Sequence, residues 1–348
     1  MRFLFLNILI LFNLLIIYSC GSAENKNSKL IEFKGLTMGS GYSISYRDSL
    51  NRNFQPQIDS FLAVFDKEIS TYRDDSRLSS FNQSDSGIFI SRNEPLHLVR
   101  NFQLSGLFHG STAGWFNPTV MPLVNYWGFG KDGKKGIKNP DDKVIDSLKK
   151  ICDFSFISIN ETPEGFWLKK NNPKTQIVLN AIAPGDAADQ IGKMLESAGI
   201  RDYMVEIGGE VRARGLQSAT FGWMIGINTP VEGSAINDLQ VVVELNNKSL
   251  ATSGNYRNFI EVNGQKYVHT INPFTGYTEK NNLLSASIFV DDCAAADAIA
   301  TACMAMGMEK AWDMIAKIPG LEAYFIYSDD KGEMKVKHTE KMTSWLKQ

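Results

Sequence analysis

Strand-like segments dominate this chain from about residue 155 onward, where the period of the apolar residues changes from helical to alternating. Most of these segments follow one another in hairpin order, and helical segments are interspersed among them. A length of 348 residues suits one large domain or two lobes. Together these features predict an α+β fold, with a two-lobed mixed α/β architecture and largely antiparallel sheets.

The individual elements follow from period and from turn residues. A strand pair over 31–47 is expected around the turn Met38–Gly41, with Tyr42, Ile44 and Tyr46 on one face. The other predicted strands are Phe156–Ile159, Phe166–Leu168, Ile177–Leu179, Tyr203–Ile207, Val211–Arg214, Trp223–Ile227, Val241–Leu245, Phe259–Val262, Ser285–Val290 and Ala323–Tyr327. The predicted helices are one that begins at Pro56, then Pro95–His109, Asp141–Lys150, Gly185–Ala198, Ala294–Met306 and Glu309–Lys317. Gly110–Gly130 has no usable period and is interpreted as a structured loop.

The first nineteen residues read as an export signal rather than as part of the fold. Arg2 precedes the apolar run Phe3–Tyr18, and Cys20 follows a small residue, as in a bacterial lipobox. Residues 20–30 are then a flexible tether from a lipidated Cys20, and residues 31–348 form the folded domain. The alternative is a short N-terminal membrane anchor, although the run is short for a bilayer span. The lipoprotein interpretation predicts a periplasm-facing protein anchored in the bacterial cell envelope.

Composition excludes few classes of protein. The net charge of -2 provides no basic excess for neutralising the phosphates of nucleic acid. The three cysteines beyond the signal, Cys152, Cys293 and Cys303, form no paired framework and have no metal-ligand spacing. They are interpreted as small buried hydrophobes.

Asp297 and Thr301 carry the strongest chemical signal. They lie four residues apart, so on a helix their side chains share one face, and the residues between them are small and apolar. A carboxylate and a hydroxyl placed in this way form half of a site for a hard cation. His269 opens the Gly/Pro-rich segment His269–Gly276 and is a candidate base. A metal and a base together indicate phosphoryl transfer.

Three other motifs are weak when taken singly. Gly208–Gly209 is a tight turn flanked by Glu206 and Glu210, either of which could reach a ligand, although solvated turn carboxylates are the favoured interpretation. Asn180–Gly185 links a predicted strand to a helix and is either an anion-binding junction or an ordinary loop. Ala251–Arg257 is a polar turn that is either a phosphate contact or a hairpin connection. Their order along the chain is more informative than any one of them.

The ordered set of motifs resembles the ApbE family, the bacterial FAD:protein FMN transferases. The resemblance covers nearly the whole chain beyond the signal. The pieces that carry it are Thr37–Ser40, Ser70–Arg73, Ser79–Asn82, Phe116–Asn125, Trp127–Gly130, Gly208–Glu210, Ala251–Gly254, His269–Gly276 and Asp297–Thr301.

The resemblance implies a magnesium-dependent enzyme with an FAD cleft between its lobes. Such an enzyme cleaves the FAD pyrophosphate, attaches FMN through a phosphoester to a threonine or serine of a partner flavoprotein, and releases AMP. The resemblance implies that FAD is bound by Met38, Tyr72, Trp115, Phe116, Asn117, Asn180 and Asp189. It further implies that Asp297, Thr301 and the carbonyl of Ala183 hold Mg²⁺, and that His269 assists the acceptor hydroxyl, either as base or as hydrogen-bond donor to a phosphate.

Two other functions remain open on the same residues: a magnesium-dependent FAD pyrophosphatase that uses water, and a non-catalytic FAD-binding lipoprotein. The non-catalytic alternative is motivated by departures from the family pattern. Val178 stands where members commonly have an acidic residue, and Pro184 stands where a lysine or another polar residue is common. Asp186 stands where a tyrosine is common. Asp186 is expected to place a carboxylate near the pyrophosphate and so to weaken FAD binding or to recruit the metal.

Overall fold

The computed structural model describes residues 28–131, 140–231, 238–255, 259–262, 265–278 and 281–347. The predicted export signal and most of the tether lie outside these ranges, so those predictions are not tested. Within the described ranges, no helix is both long enough and apolar enough to cross a lipid bilayer.

An antiparallel sheet of eight strands forms the centre of the molecule, in the order β1-β2-β6-β7-β10-β13-β14-β15. Two three-stranded sheets, β16-β9-β8 and β3-β5-β4, and the ribbon β11-β12 complete the β structure of the described ranges. The strands are β1 (Lys29–Thr37), β2 (Ser40–Asp48), β3 (Gly87–Ser91), β4 (Ile157–Glu161), β5 (Gly165–Lys170), β6 (Tyr203–Ile207), β7 (Glu210–Arg214), β8 (Trp223–Asn228), β9 (Leu239–Leu245), β10 (Lys248–Gly254), β11 (Phe259–Val262), β12 (Gln265–Val268), β13 (Leu283–Val290), β14 (Glu322–Ser328), β15 (Met334–His338) and β16 (Leu346–Lys347). The predicted α+β class with largely antiparallel sheets is confirmed.

Helices cover one face of the central sheet, and the small sheet β16-β9-β8 covers the other. The helices are α1 (Gln55–Ile69), α2 (Arg77–Gln83), α3 (His97–Ser111), α4 (Met121–Tyr126), α5 (Asp142–Lys149), α6 (Ala183–Ser197), α7 (Cys293–Met306) and α8 (Met308–Ile315), with short 3₁₀ turns at Pro118–Val120, Phe154–Phe156 and Glu340–Ser344. Helix α7 is almost wholly apolar and small, so it packs directly on β10 and β13. Burial of these apolar faces on both sides stabilises the sheet.

Local sequence explains the elements that position the site. Met38 and Gly39 both adopt positive φ, +48° and +74°, which gives the tight turn that joins β1 to β2. Tyr42, Ile44 and Tyr46 are all buried on one face of β2, as predicted. Gly199, with φ +84°, ends α6 in the conformation that glycine favours.

One predicted strand is wrong. Ile177 and Leu179 are buried, but the segment Ile177–Leu179 joins no sheet of the described ranges. The side chain of Asn82 takes the place of a partner strand: its amide donates to the Ile177 carbonyl at 2.9 Å, and its carbonyl oxygen accepts from the Ile177 N–H at 2.8 Å. A short apolar run therefore matches the sequence pattern of a strand although it makes no ladder of backbone hydrogen bonds with a neighbouring strand.

Two segments predicted to be irregular contain regular structure. Gly110–Gly130 includes a 3₁₀ turn and helix α4, which starts with the Met121-Pro pair. Ala251 to Gly254 belongs to β10, which lies between β7 and β13 in the central sheet, and residues 256 and 257 lie outside the described ranges. The interpretation of Ala251–Arg257 as a hairpin connection is therefore wrong for its first four residues, and Thr252 and Ser253 are held by a ladder rather than by a turn.

Candidate active site

A cavity of about 1150 Å³ brings together ten of the eleven residues that the sequence pointed to. Its lining includes Met38, Tyr72, Trp115, Phe116, Asn117, Asn180, Ala183, His269, Asp297 and Thr301. These residues come from both halves of the chain, and the cavity lies where the central sheet, the small sheet and the helices meet. The remaining residue, Asp189, does not line it.

One side of the cavity carries aromatic residues. Tyr72 is 55% exposed in the turn after α1. The Trp115 ring is met edge-on by Phe274, with ring centroids 4.8 Å apart, and the Lys310 ammonium lies 5.1 Å from the centre of the Trp115 ring. These contacts fix the orientation of the indole, so Trp115 and the exposed Tyr72 present aromatic rings on which a planar ring system can stack.

Asn117 lines the cavity, but its side chain is committed to the fold. Its carbonyl oxygen accepts from the Thr119 N–H at 2.9 Å and caps the 3₁₀ turn, while its amide donates to the Cys152 carbonyl at 3.0 Å. Phe116 beside it is buried, and its N–H donates to the Thr112 hydroxyl at 3.0 Å. The Trp115–Asn117 segment is thus held rigidly against the cavity.

Asp297 and Thr301 face the same cavity from α7, as their spacing predicted. Asp297 is only 4% exposed, and its Oδ2 accepts a long hydrogen bond, 3.4 Å, from the Gly185 N–H. The Thr301 hydroxyl lies 3.2 Å from the Ser253 hydroxyl on β10. Ala183, the first residue of α6, also lines the cavity, and α6 packs on α7. We call the part of the cavity that is lined by Ala183, Asp297, Thr301 and Glu210 its base.

Glu210 is a site residue that the sequence interpretation missed. It starts β7 and lines the cavity together with Glu206, so neither is simply a solvated turn carboxylate. Burial, followed by the charge of Glu206, raises the pKa of Glu210 to about 7. Burial and then the charge of Glu210 raise the pKa of Asp297 well above its usual range. A cation bound beside these two carboxylates would relieve their mutual repulsion, so the pair favours cation binding.

The oxygen donors at the base of the cavity fit a magnesium ion. They are the carboxylates of Asp297 and Glu210, the hydroxyl of Thr301 and the carbonyl of Ala183. Mg²⁺ prefers oxygen ligands and takes few from the protein, since it keeps water and substrate phosphates. Within the described ranges, no group of three or more His, Cys, Asp or Glu side chains could hold a metal, so a nitrogen- or sulfur-rich site is not formed there.

Glu210→Gln is expected to have opposite effects on stability and on cation binding. A glutamate whose pKa is raised from 4.5 to about 7 binds more protons in the native than in the unfolded state between those values. Stability without metal should therefore fall as pH rises through this window, by up to roughly 3 kcal/mol. In EDTA, the melting temperature of the variant should fall less between pH 5 and pH 8 than that of the wild type. Mg²⁺ should raise the melting temperature of the variant by less than it raises that of the wild type.

The control for this measurement is Glu164→Gln, because Glu164 is exposed in the turn between β4 and β5 and does not line the cavity. This variant should follow the wild type at every pH and Mg²⁺ concentration. An unchanged pH dependence in Glu210→Gln would contradict the raised pKa of Glu210.

Asp186 does not point where the sequence suggested. It is fully buried and faces α3, where its Oδ1 accepts from Arg100 at 2.6 Å and its Oδ2 accepts from Asn101 at 2.8 Å. The expectation of a carboxylate beside the pyrophosphate is therefore wrong. Val178 and Pro184 do line the cavity, so their effect on FAD affinity stays a prediction.

Asp189, three residues further along α6, is also turned away from the cavity. Its oxygens accept from the N–H groups of Cys293 and Ala294, each at 3.0 Å, and from Arg212 at 2.7 Å. The structure thus places it at the start of α7 rather than against a nucleotide.

His269 follows β12 and lines the cavity, with the centre of the Phe129 ring 6.4 Å from the centre of its own. The segment after it is a well-ordered turn. Asn272 accepts from the N–H groups of Phe274 and Thr275, and the Gly276 carbonyl accepts from the Trp127 indole at 2.8 Å. The Asn-Pro-Phe-Thr-Gly pattern therefore fixes the backbone that carries His269.

The fold and the cavity define an α+β enzyme with a large cleft, an aromatic wall and an oxygen-donor site for a cation. Comparison with known proteins narrows this class. The family model of the ApbE family matches residues 38–325. The FAD:protein FMN transferase of Vibrio cholerae is 34% identical over 326 residues, which cover 92% of this chain and 93% of that protein. The transferase of the same name from Haemophilus influenzae is 32% identical over 319 residues, covering 89% and 90%.

Solved structures agree. The flavin transferase ApbE from Vibrio cholerae superimposes with a TM-score of 0.79 at 30% identity, covering 92% of this chain and all of that one. The apo flavinyl transferase ApbE from Pseudomonas stutzeri gives 0.78 at 29% identity, covering 91% and 97%. The chain belongs to the ApbE family, as the sequence motifs predicted, and it is an enzyme of the flavin transferase class.

Proposed function

We propose that this protein transfers FMN from FAD to a threonine or serine hydroxyl of a partner flavoprotein, forms a phosphoester and releases AMP, with Mg²⁺ as cofactor. The observation that carries the proposal is the convergence on one cavity of ten motif residues from six widely separated segments of the chain. Relatives that are called FAD:protein FMN transferases, at 32–34% identity over most of the chain, support it.

The cavity suits a dinucleotide in size and in chemistry. Its volume of about 1150 Å³ exceeds that of an ordinary site for a drug-sized ligand. The wall around Trp115 offers a surface for a planar ring, and the base offers carboxylates that bind no anion directly. A dinucleotide diphosphate would therefore need a cation at the base, and its flat ring systems would lie against the aromatic wall.

Asp297, Thr301, Ala183 and Glu210 would hold the cation, and Gly185 would keep the Asp297 carboxylate in place through its N–H. When bound, Mg²⁺ would neutralise the charge of the pyrophosphate and of the AMP leaving group. The Ser253 hydroxyl beside Thr301 orients the Thr301 oxygen. Such outer contacts keep a ligand in its binding position.

The transfer itself exchanges the phosphoanhydride bond of FAD for a phosphoester bond to the acceptor. The acceptor oxygen bonds to the FMN phosphorus, the bond to the bridging oxygen breaks, and AMP leaves with that oxygen. The acceptor hydroxyl is a weak nucleophile, so its proton must pass to a base. His269, at the start of its turn in the cavity, either takes this proton or donates a hydrogen bond to a phosphate oxygen.

The location of the protein is part of the proposal. The apolar run Phe3–Tyr18 and Cys20 support export, lipidation of Cys20 and anchoring in the cell envelope on the periplasmic side. Residues 20–30 would then tether the domain close to membrane-bound flavoproteins, and proximity to the acceptor would favour transfer.

The test is to incubate the full chain in detergent with FAD, Mg²⁺ and a peptide that carries an acceptor threonine. Mass spectrometry should find FMN on the peptide and an equal amount of AMP. The same peptide with alanine in place of threonine should stay unmodified. AMP released at the same rate with either peptide would instead identify a pyrophosphatase, and FAD binding without AMP would identify a non-catalytic binder.

His269→Asn in this assay should lower the transfer rate about 100-fold while FAD still binds. If His269 is the base, the variant should also lose the acidic limb of the pH–rate profile. If it only donates to phosphate, the limb should remain. Unchanged transfer would remove His269 from the mechanism.

A further inference from the structure

Asp189 lies behind the cavity and does not line it. It is 1% exposed and lies on α6, six residues after Ala183. Its Oδ1 accepts from the Cys293 N–H at 3.0 Å and from Arg212 Nη1 at 2.7 Å, and its Oδ2 accepts from the Ala294 N–H at 3.0 Å. These contacts are all directed at the first turn of α7 and at β7.

Helix α7 depends on this carboxylate for its N-terminus. The residue at its own cap position, Asp292, makes no capping hydrogen bond with its side chain. The first N–H groups of a helix need acceptors, and the positive end of the helix dipole favours a negative charge. Asp189 supplies both from the neighbouring helix. Asp297 lies one turn further along α7, so the capped turn is the one that leads into it.

Arg212 extends the connection to the central sheet. It lies on β7, two residues after Glu210, and its guanidinium also donates to the Tyr203 hydroxyl at 3.0 Å. One ion pair therefore joins α6, α7 and β7. These three elements carry all the oxygen donors assigned to the base of the cavity: Ala183 on α6, Asp297 and Thr301 on α7, and Glu210 on β7.

We propose that Asp189 and Arg212 are a positioning pair that sets the spacing of the cation's oxygen donors. The inference rests on the proposed function, because that function supplies the cation. It gives Asp189 a role through α7 rather than through contact with FAD. Residues that orient metal ligands without touching the metal change affinity by about 10- to 100-fold when they are altered.

Asp186 provides a matched control within the same helix. It too is fully buried and is ion-paired with an arginine, Arg100, at 2.6 Å. Its other partners are Asn101 and Gln190, at 2.8 and 2.7 Å. None of these residues belongs to α7, so Asp186 shares the burial and charge of Asp189 but not its connection to the cation site.

The experiment measures Mn²⁺ binding to the full chain by electron paramagnetic resonance, with FAD present. Asp189→Asn should raise the Mn²⁺ dissociation constant about 10- to 100-fold, because asparagine presents an N–H₂ to groups that are themselves donors. Asp186→Asn should lower the melting temperature similarly but keep the dissociation constant within about threefold of the wild type. Equal Mn²⁺ affinities in Asp189→Asn and Asp186→Asn would overturn the inference.

Arg212→Gln keeps the measurement decisive if Asp189→Asn does not fold. It leaves the capping bonds of Asp189 in place and removes its ion pair with β7, together with the longer contacts of Arg212 to Glu196 and to the Asp291 carbonyl, both at 3.4 Å. Mn²⁺ affinity should therefore fall about tenfold. A Mn²⁺ affinity in Arg212→Gln equal to that of the wild type would contradict the positioning role of Asp189 and Arg212. Failure of the wild type to bind Mn²⁺ would contradict the proposed cation site itself, and the inference would fall with it.

Discussion

Asp297→Asn is expected to lower the rate of FMN transfer by about 1,000-fold, the largest effect on activity of any change considered for this protein. Asparagine keeps the size of the side chain and an oxygen that can accept from the Gly185 N–H. It removes the charge of a carboxylate that is only 4% exposed. The donors at the base of the cavity would then offer one carboxylate, Glu210, in place of two.

The melting temperature of Asp297→Asn shows whether a lower transfer rate comes from a lost cation ligand or from a destabilised fold. Burial and repulsion by Glu210 raise the pKa of Asp297, so removing this charge should raise the melting temperature in EDTA. Transfer is measured by mass spectrometry of the acceptor peptide over a range of Mg²⁺ concentrations. Asp313→Asn, which changes a carboxylate on α8 away from the cavity, should match the wild type in both assays. A variant at Asp297 that transfers FMN at the wild-type rate would contradict the cation site.

The sequence is sufficient to find the residues whose position is fixed by local structure. Asp297 and Thr301 share a helix face because helical geometry places residues i and i+4 together. Met38 reaches the cavity because a two-residue turn with positive φ requires Met38 and Gly39 at the tip of the hairpin. Such positions depend on a few neighbouring residues, so motif and period predict them.

Side chains whose direction depends on distant elements are not predictable in this way. Asp186 and Asp189 lie on one helix and are both buried, but the first meets α3 and the second meets α7. Only the packing of three helices turns both of them away from the cavity. Glu210 resembles a turn residue, because nothing near it in sequence shows that Asp297 comes to lie close by. The polar pair Arg100 and Asn101 within α3 is the one available signal that a buried carboxylate needs partners.

The misassigned strands have the same origin. Ile177–Leu179 carries the apolar pattern of a strand, but its backbone partner is the Asn82 side chain, 95 residues earlier. Ala251 to Gly254 resembles a turn because it is small and polar. It becomes a strand because it pairs with β13 and continues residues 248–250 of β10, which also pair with β7. Neighbours supplied by tertiary structure override local propensity in both cases.

Gly185→Ala is expected to cause the largest loss of stability, about 3 kcal/mol, and to weaken cation binding at the same time. A Cβ on Gly185 would lie 2.5 Å from the Cys293 carbonyl oxygen and 2.9 Å from the Ala294 Cα. Both are backbone atoms, so no side-chain rotation can relieve the contact. Helices α6 and α7 would have to separate, and Ala183 would move away from Asp297. The measurement is thermal unfolding of the full chain with and without Mg²⁺.

Gly106→Ala is the matched control, since Gly106 is also a helical glycine, and a Cβ there would have its nearest neighbour, the Phe154 Cζ, at 3.6 Å. Alanine at this position should stabilise α3 by about 0.5–1 kcal/mol. In the wild type and in Gly106→Ala, Mg²⁺ should raise the melting temperature, because it binds only the folded state. In Gly185→Ala this gain should be smaller, because the Ala183 carbonyl on α6 moves away from the donors on α7. A gain equal to that of the wild type would show that the cation site does not require the close contact between the two helices.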